Sequence, residues 1–275
     1  MQVASRSSLA EVLKSLDDTD DTAERNESTT LQRLADELLA AGRLLDREPV
    51  LRRSLSDPAA SGEVRRELLD AIVAGQLSER AVDVLHKVVE ARWSGPADLS
   101  DALELLAVHA LLLAAQRDDA LADVEDELFR FLRVVAGDSA LRSALSDSTA
   151  DPGRRDRLVS DLLAGKAQPT TEALVTVAVA GLGGRSFEPS LERLVELAAA
   201  QRDREVAYVT VASPLTEDQE RRLEAVLART YGKQISLLVV VDPTLLGGLT
   251  VRVGQELYDG SVSRRLKQVR SALAG

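Results

Sequence analysis

A seven-residue pattern occurs twice in this chain. Residues 51–57 read LRRSLSD, and residues 141–147 read LRSALSD. The spacing of ninety residues holds on both sides of this stretch without a gap. The matched positions of the first copy are Leu31, Asp36, Glu37, Leu38, Arg65, Leu68, Ile72, Ala74 and Gly75. Their counterparts, each ninety residues later, are Leu121, Asp126, Glu127, Leu128, Arg155, Leu158, Leu162, Ala164 and Gly165. Two copies of so long a period indicate a duplicated domain, because each copy has enough chain to enclose its own core.

Both copies have apolar residues at helical spacing. Between residues 31 and 45 the leucines form one stripe and the charged residues point away from it. The same pattern predicts helices near residues 4–16, 64–74, 79–92, 98–117, 119–136, 154–164, 171–182 and 188–202. Glycine and proline turns separate these segments. The sequence therefore predicts an all-helical region up to about residue 205.

After Glu205 the hydrophobic period changes from that of a helix to that of a strand. Strands are predicted at 206–211, 235–241 and 249–253, with a helix between the first two that Thr216 caps and Gly232 ends. Asp259, Gly260 and Ser261 are typical of a turn into a last helix. The predicted fold is mainly α: two tandem helical bundles, at 1–106 and 107–205, followed by a small α/β module at 206–275.

Composition excludes several classes of function. The formal net charge of -11 argues against a general nucleic-acid or anionic-membrane binder. The absence of cysteine excludes disulfides and thiolate sites, and two histidines are too few for a histidine-rich metal site. The N-terminus lacks the pattern of a targeting peptide, and the longest apolar run, at 110–115, is far shorter than a membrane span. We therefore expect a soluble, cytoplasmic protein without a metal or cofactor.

Few residues suggest a catalytic or ligand-binding role. The glycines at 181–184 lack both the full G-x-G-x-x-G pattern and the lysine of a phosphate loop, so they are interpreted as a helix end. His86 and His109 are expected to be solvated or hydrogen-bonded, and Trp93 is expected to pack. The acidic residues between 17 and 24 have the composition of a solvated linker. No catalytic constellation is predicted.

The predicted last helix has two distinct faces. Val262, Leu266, Val269 and Leu273 form an apolar stripe, and Arg264, Arg265, Lys267 and Arg270 form a basic face. Two interpretations remain open. The basic residues compensate the helix dipole near a C-terminus, or the helix docks on a partner.

The C-terminal module resembles a known family. Residues 242–254, DPTLLGGLTVRVG, and residues 259–266, DGSVSRRL, are similar to the C-terminal signature of the delta subunit of the bacterial rotary ATP synthase, a relative of the mitochondrial oligomycin-sensitivity-conferring protein. With the bundle before it, the resemblance covers about residues 107–275. The resemblance implies that the signature residues form the region that binds the stalk of the synthase, its b subunit. These residues are Asp242, Pro243, Gly247, Gly248, Gly254, Asp259, Gly260, Ser261, Arg264, Arg265 and Leu266. The family usually has one helical bundle, so the bundle at 1–106 is a departure.

The resemblance implies a structural role without catalysis. The helical domain of the family binds the N-terminal helices of the alpha subunits, and its C-terminal part binds the end of the membrane-anchored b subunit. The resemblance also implies a peripheral protein on the cytoplasmic side of the bacterial plasma membrane. Such a protein is expected to bind no nucleic acid and no cofactor and not to insert into the membrane. The alternative is a stand-alone adaptor that binds amphipathic helices of another complex. An enzyme that uses a nucleotide is a third possibility.

The resemblance also implies where a partner helix would bind. In the family the groove lies between the first and fifth helices of the bundle. By position these are the helices near 4–16 and 79–92 in the first copy, and near 107–117 and 171–182 in the second. We expect each copy to bind one helix, with the second copy as the main site because it directly precedes the signature module.

Overall fold

The helical part of the chain contains eleven α-helices among the residues that the structure describes. In this computed structural model these residues are 1–18, 27–73, 75–147, 149–202, 204–232, 234–245, 247–253 and 256–260. The helices are α1 (Val3–Asp18), α2 (Glu27–Arg47), α3 (Pro49–Leu55), α4 (Gly62–Val73), α5 (Glu79–Glu90), α6 (Pro96–Arg117), α7 (Leu121–Gly137), α8 (Ser139–Ser146), α9 (Pro152–Leu163), α10 (Pro169–Ala180) and α11 (Phe187–Gln201).

The internal repeat is confirmed as a repeat of structure. Helix α9 begins and ends ninety positions after α4, and α10 does so after α5. Side-chain contacts repeat as well. Glu37 accepts a hydrogen bond from the Ser78 N–H at 3.1 Å, and Glu127 accepts one from the Gln168 N–H at 2.8 Å. Each carboxylate therefore ties the second helix of its copy to the start of the fifth.

An arginine contact repeats in the same way. Arg65 Nη1 donates to the Ala91 carbonyl at 3.1 Å, and Arg155 Nη1 donates to the Val179 carbonyl at 3.0 Å. In both copies the fourth helix thus contacts carbonyls at the C-terminal end of the fifth helix, where a cation also offsets the helix dipole.

Helix α6 belongs to both copies. By the spacing of ninety residues it is the counterpart of α11 at the end of the first copy and of α1 at the start of the second. Its buried residues lie on all sides, and it contacts α2 as well as α10. A helix that is apolar all round is a buried one. The predicted boundary between residues 106 and 107 falls inside this continuous helix, and the domain limits remain a prediction.

Two short helices were not predicted. Helices α3 and α8 lie on the LRRSLSD and LRSALSD stretches themselves. Seven or eight residues are too few to display the helical period, so pattern analysis misses them. Pro49 at the start of α3 supplies a helical φ where no N–H donor is needed.

The C-terminal module is a four-stranded sheet with one helix. The strands are β1 (Arg204–Val211), β2 (Gln234–Val241), β3 (Leu249–Val253) and β4 (Glu256–Asp259), in the order β2-β1-β3-β4, and α12 (Glu217–Tyr231) connects β1 to β2. Strands β1 and β2 are parallel, whereas β3 is antiparallel to both β1 and β4. Thr216 and Gln219 form the predicted capping box, and Gly232 ends α12 with φ 69°.

One face of this sheet forms the module's core. Its buried residues are Ala207, Val209, Val211, Ile235, Leu237, Val251 and Val253, with Leu227 of α12 against them. The alternation within each strand matches the predicted period of two. Strand β4 was not predicted, because its four residues include two acids and both Leu257 and Tyr258 are exposed. The predicted last helix lies outside the described residues.

The chain divides into two compact units. One contains Met1–Glu127 and Ser139–Leu194, and the other contains Leu128–Asp138 and Val195–Gly275. The first unit holds the complete first copy and the shared helix. The second holds the sheet and α12.

Candidate partner-binding sites

The signature residues at the end of β2 build a turn. The Asp242 N–H donates to the Val211 carbonyl at 2.8 Å, and the Asp242 carboxylate accepts hydrogen bonds from the Thr244 hydroxyl and N–H at 2.7 and 2.8 Å. These hydrogen bonds lower the pKa of Asp242, chiefly the one from the Thr244 side chain. Pro243 fixes the next φ. Asp242 and Pro243 therefore serve the backbone rather than a reaction.

The signature glycines also serve the backbone. Gly247 and Gly248 have φ of 134° and 81°, which residues with a Cβ rarely adopt. The two glycines therefore allow the chain to turn before β3. The Gly260 N–H donates to the Leu249 carbonyl at 3.0 Å, and a Cβ on Gly260 would lie 3.1 Å from that oxygen. Asp259, paired with Thr250, ends β4.

The remaining signature residues cannot be placed. Gly254, Ser261, Arg264, Arg265 and Leu266 lie outside the described residues. The stalk-binding role of the whole set thus stays a prediction.

The sheet face opposite α12 carries Tyr208, Val240, Arg252 and Leu257. The Arg252 guanidinium lies 4.1 Å from the centroid of the Tyr208 ring, and the Tyr208 hydroxyl donates to Glu196 at 3.4 Å. Val240 and Leu257 share this face and are 40% and 66% exposed. Leu257 was not predicted to lie on a sheet face, because strand β4 was not predicted.

Three side chains connect α12 to β4 on the other face. The Tyr231 and Tyr258 hydroxyls both donate to Glu256 Oε2, at 2.8 and 3.0 Å. The hydrogen bond with Tyr258 is the main cause that raises the pKa of Tyr231, with Glu256 adding to it. The raised pKa keeps Tyr231 a neutral donor, and the two hydrogen bonds to Glu256 connect α12 to the edge strand.

A cleft of about 520 Å³ lies in the first unit between α2 and α10. Leu39 of α2 faces Ala173, Thr176 and Ala180 of α10 across it, and Glu104 of α6 also lines it. Charged residues at its borders are Asp36, Arg43, Arg155, Asp156 and Glu172. The groove for a partner helix was expected between α6 and α10. In the structure, α2 of the first copy forms the wall of this cleft that faces α10.

Glu104 has an unusual environment. The Gly183 N–H donates to Glu104 Oε2 at 2.5 Å. Burial raises the pKa of Glu104 to about 7, against the lowering effect of that hydrogen bond, and nearby Asp101 raises it further. The sequence signal was an acid between Leu103 and Leu105 of a long apolar helix, and it was not used in the prediction.

The glycine run at 181–184 is a helix end, as predicted. Gly181 ends α10 with φ 99°, and its N–H donates to the Val177 and Ala178 carbonyls. A Cβ on Gly181 would lie 2.7 Å from the backbone oxygen of Arg185, and Gly183 has φ 59°. The turn thus requires glycine and presents its N–H to Glu104.

The other candidate residues have structural roles. His86 Nε2 lies 2.5 Å from Asp70 Oδ1, which confirms a hydrogen-bonded histidine. Trp93 is buried, and its Nε1 donates to the Val88 carbonyl at 2.7 Å, which confirms packing. Within the described part of the chain, no group of His, Asp and Glu could hold a metal ion, and no helix is long and apolar enough to span a membrane.

Comparisons with known proteins cover the whole chain. The family described as ATP synthase delta (OSCP) subunit matches residues 108–273. ATP synthase subunit delta of Salinispora arenicola is 54% identical over 248 residues, 90% of each chain. The subunit of the same name from Streptomyces griseus is 46% identical over 275 residues, the full length of both chains. The extra bundle is therefore present in that relative too.

A solved structure gives a weaker likeness. One chain of a structure described as the Toxoplasma gondii mitochondrial ATP synthase hexamer aligns with 61% of this chain and 95% of its own, at 22% identity and a TM-score of 0.40. The assignment therefore rests on the sequence comparisons. The chain belongs to the ATP synthase delta (OSCP) subunit family.

Proposed function

We propose that this chain is a non-catalytic subunit of the ATP synthase peripheral stalk, on the cytoplasmic side of the bacterial plasma membrane. Its helical part binds N-terminal helices of the alpha subunits, and its C-terminal module binds the C-terminal end of the b subunit. Family membership and the structural roles of His86, Trp93 and Asp242 support a role in attachment. The cleft between α2 and α10 is the observation that carries the alpha-subunit part of the proposal.

The cleft suits an amphipathic helix. Its α10 wall is formed by small or apolar side chains at Ala173, Thr176 and Ala180, and Leu39 lies on the opposite wall. Burial of an apolar stripe there would contribute roughly 25 cal/mol per Å², from which ordering costs are subtracted.

The charges of the cleft favour a partner with basic flanks. Asp36, Asp156 and Glu172 line it together with the partly protonated Glu104. Of its two arginines, Arg155 already donates to the Val179 carbonyl. The lining is therefore acidic on balance, and basic residues beside the apolar stripe of the incoming helix would complement it.

The equivalent surface of the first copy is more polar. Asp83 and His86 of α5 stand at the repeat positions of Ala173 and Thr176, and His86 is paired with Asp70. This difference supports the second copy as the main site. A second helix on the first copy remains part of the proposal, with weaker affinity.

The experiment is a titration of the full chain with an alpha-subunit N-terminal peptide. Ala173→Arg puts a long cation into the cleft and is expected to weaken binding at least tenfold. Asp83→Arg, at the repeat-equivalent position of the first copy, is the matched control and should change the affinity of the main site less than twofold. Unchanged binding by A173R would remove the cleft from the proposal. Fragments cut at residue 106 are unsuitable because the cut divides α6.

Association with the synthase separates the stalk role from that of a stand-alone adaptor. An affinity pull-down of the chain from bacterial membranes, followed by mass spectrometry, is expected to recover the alpha and b subunits. Recovery of a different complex without them would favour the adaptor.

A further inference from the structure

The first bundle contains an apolar pocket that the function above does not use. It has a volume of about 200 Å³ and lies among α2, α3, α4, α5 and α6. Leu85, Val88 and Leu103, all at most 2% exposed, form its inner wall, and Leu44 lies at its outer edge with 39% exposure. Among the described residues that line it, Gln76 is the one polar side chain.

The internal repeat places a larger side chain at one position of the pocket lining. Residues 40–42 of α2 read Ala-Ala-Gly, and the equivalent residues 130–132 of α7 read Arg-Phe-Leu. Phe131, the counterpart of Ala41, is 7% exposed. The second copy thus buries a benzyl group at the position where the first copy has only a methyl group beside its pocket.

Three residues that line the pocket on α4 and α5 have apolar counterparts in the second copy. Leu69, Ile72 and Leu85 have Val159, Leu162 and Val175 as counterparts. The sixth helix differs, since Leu99 and Leu103 stand where the second copy has Pro189 and Arg193. The first copy therefore has a methyl group where the second has a benzyl group, and the lining of its pocket is apolar apart from Gln76.

We propose that this pocket binds an uncharged molecule with a single aromatic ring. An apolar cavity of about 150 Å³ stays dry and binds benzene in another protein, so a pocket of this size and lining suits one ring with a short substituent. Water is disfavoured there because it finds too few hydrogen-bond partners. A charged or strongly polar ligand would lose its hydration without compensation.

The test uses the full chain with toluene as the probe. Toluene at several times its dissociation constant is expected to raise the melting temperature of the unmodified protein by about 2–4 °C. In nuclear Overhauser spectra its ring protons should contact methyl groups of Leu85 and Val88. Absence of both signals would overturn the proposal.

Two variants locate the binding site. Ala41→Phe restores the side chain of the second copy; it is expected to melt higher than the parent and to lose the toluene shift. Ala10→Phe, an exposed position on α1 outside the pocket, should keep that shift in full. Retention of the shift in A41F would place toluene elsewhere and overturn the proposal. If A41F does not fold, Ala41→Met replaces it, with the same expected loss of the shift.

Discussion

At the scale of single residues, the signature glycines act through backbone conformation. Replacing Gly247 or Gly248 by Val would force a β-branched residue into a positive φ, at an expected cost of about 1–3 kcal/mol each. Thermal melting measures this cost. Gly137, at the end of α7 with open space around it and without a positive φ, is the control, and G137V should change little. Melting curves of G247V and G248V that match the parent would show that neither glycine is needed.

Glu104 makes stability depend on pH. Burial raises its pKa from 4.5 to about 7, so the folded chain holds this proton more tightly than the unfolded chain. Stability from this group is therefore greatest at low pH and falls as the pH rises between those two values. Glu104→Gln retains an acceptor for the Gly183 N–H but cannot ionise, so its melting temperature should fall less over this range.

The control for this prediction is Glu172→Gln in the same cleft. It should keep the pH dependence of the parent when both are melted at a series of pH values. Equal slopes for the parent and E104Q would contradict a buried, ionising Glu104.

At the scale of elements, the packing of α2 on α6 depends on a small residue. A Cβ on Gly42 would lie 3.8 Å from Leu103 Cβ, which is an ordinary contact distance. Gly42→Ala should therefore stabilise the helix by up to about 1 kcal/mol. Gly42→Leu, the residue found at Leu132 of the second copy, should destabilise by about 1–3 kcal/mol because the space is already filled.

Chemical denaturation of these two variants is the measurement. Opposite signs for G42A and G42L are expected. A Leu variant as stable as the Ala variant would show that α2 and α6 have room to separate, and that the two copies tolerate the same residues at this position.

At the scale of the whole molecule, the two proposed attachment functions belong to different parts of the chain. Truncation after Arg229 removes β2, β3 and β4, the strands that pair directly or indirectly with β1. The shortened chain should keep the circular dichroism of its helices but lose binding to the b subunit. The full-length chain is the reference in the same binding assay. A truncated chain that binds b fully would remove the C-terminal module from the proposed stalk contact.

The amino-acid sequence is enough to predict the order of the longer elements, the duplication and the family signature. Amphipathic stripes, capping residues and a change of period are local properties, so they are readable without a structure. The constant spacing of ninety residues matches Glu37 with Glu127, and the contacts of these two residues repeat in the structure.

Which helices of the two copies contact each other could not be predicted from the sequence and is known from the tertiary structure. The shared role of α6, the wall that α2 adds to the cleft and the burial of Glu104 depend on packing between segments far apart in the chain. The short elements α3, α8 and β4 also needed it, because a few residues show too little of a period and their pairing with neighbours stabilises them. The pocket beside Ala41 is likewise a property of five helices together, since no single helix encloses space.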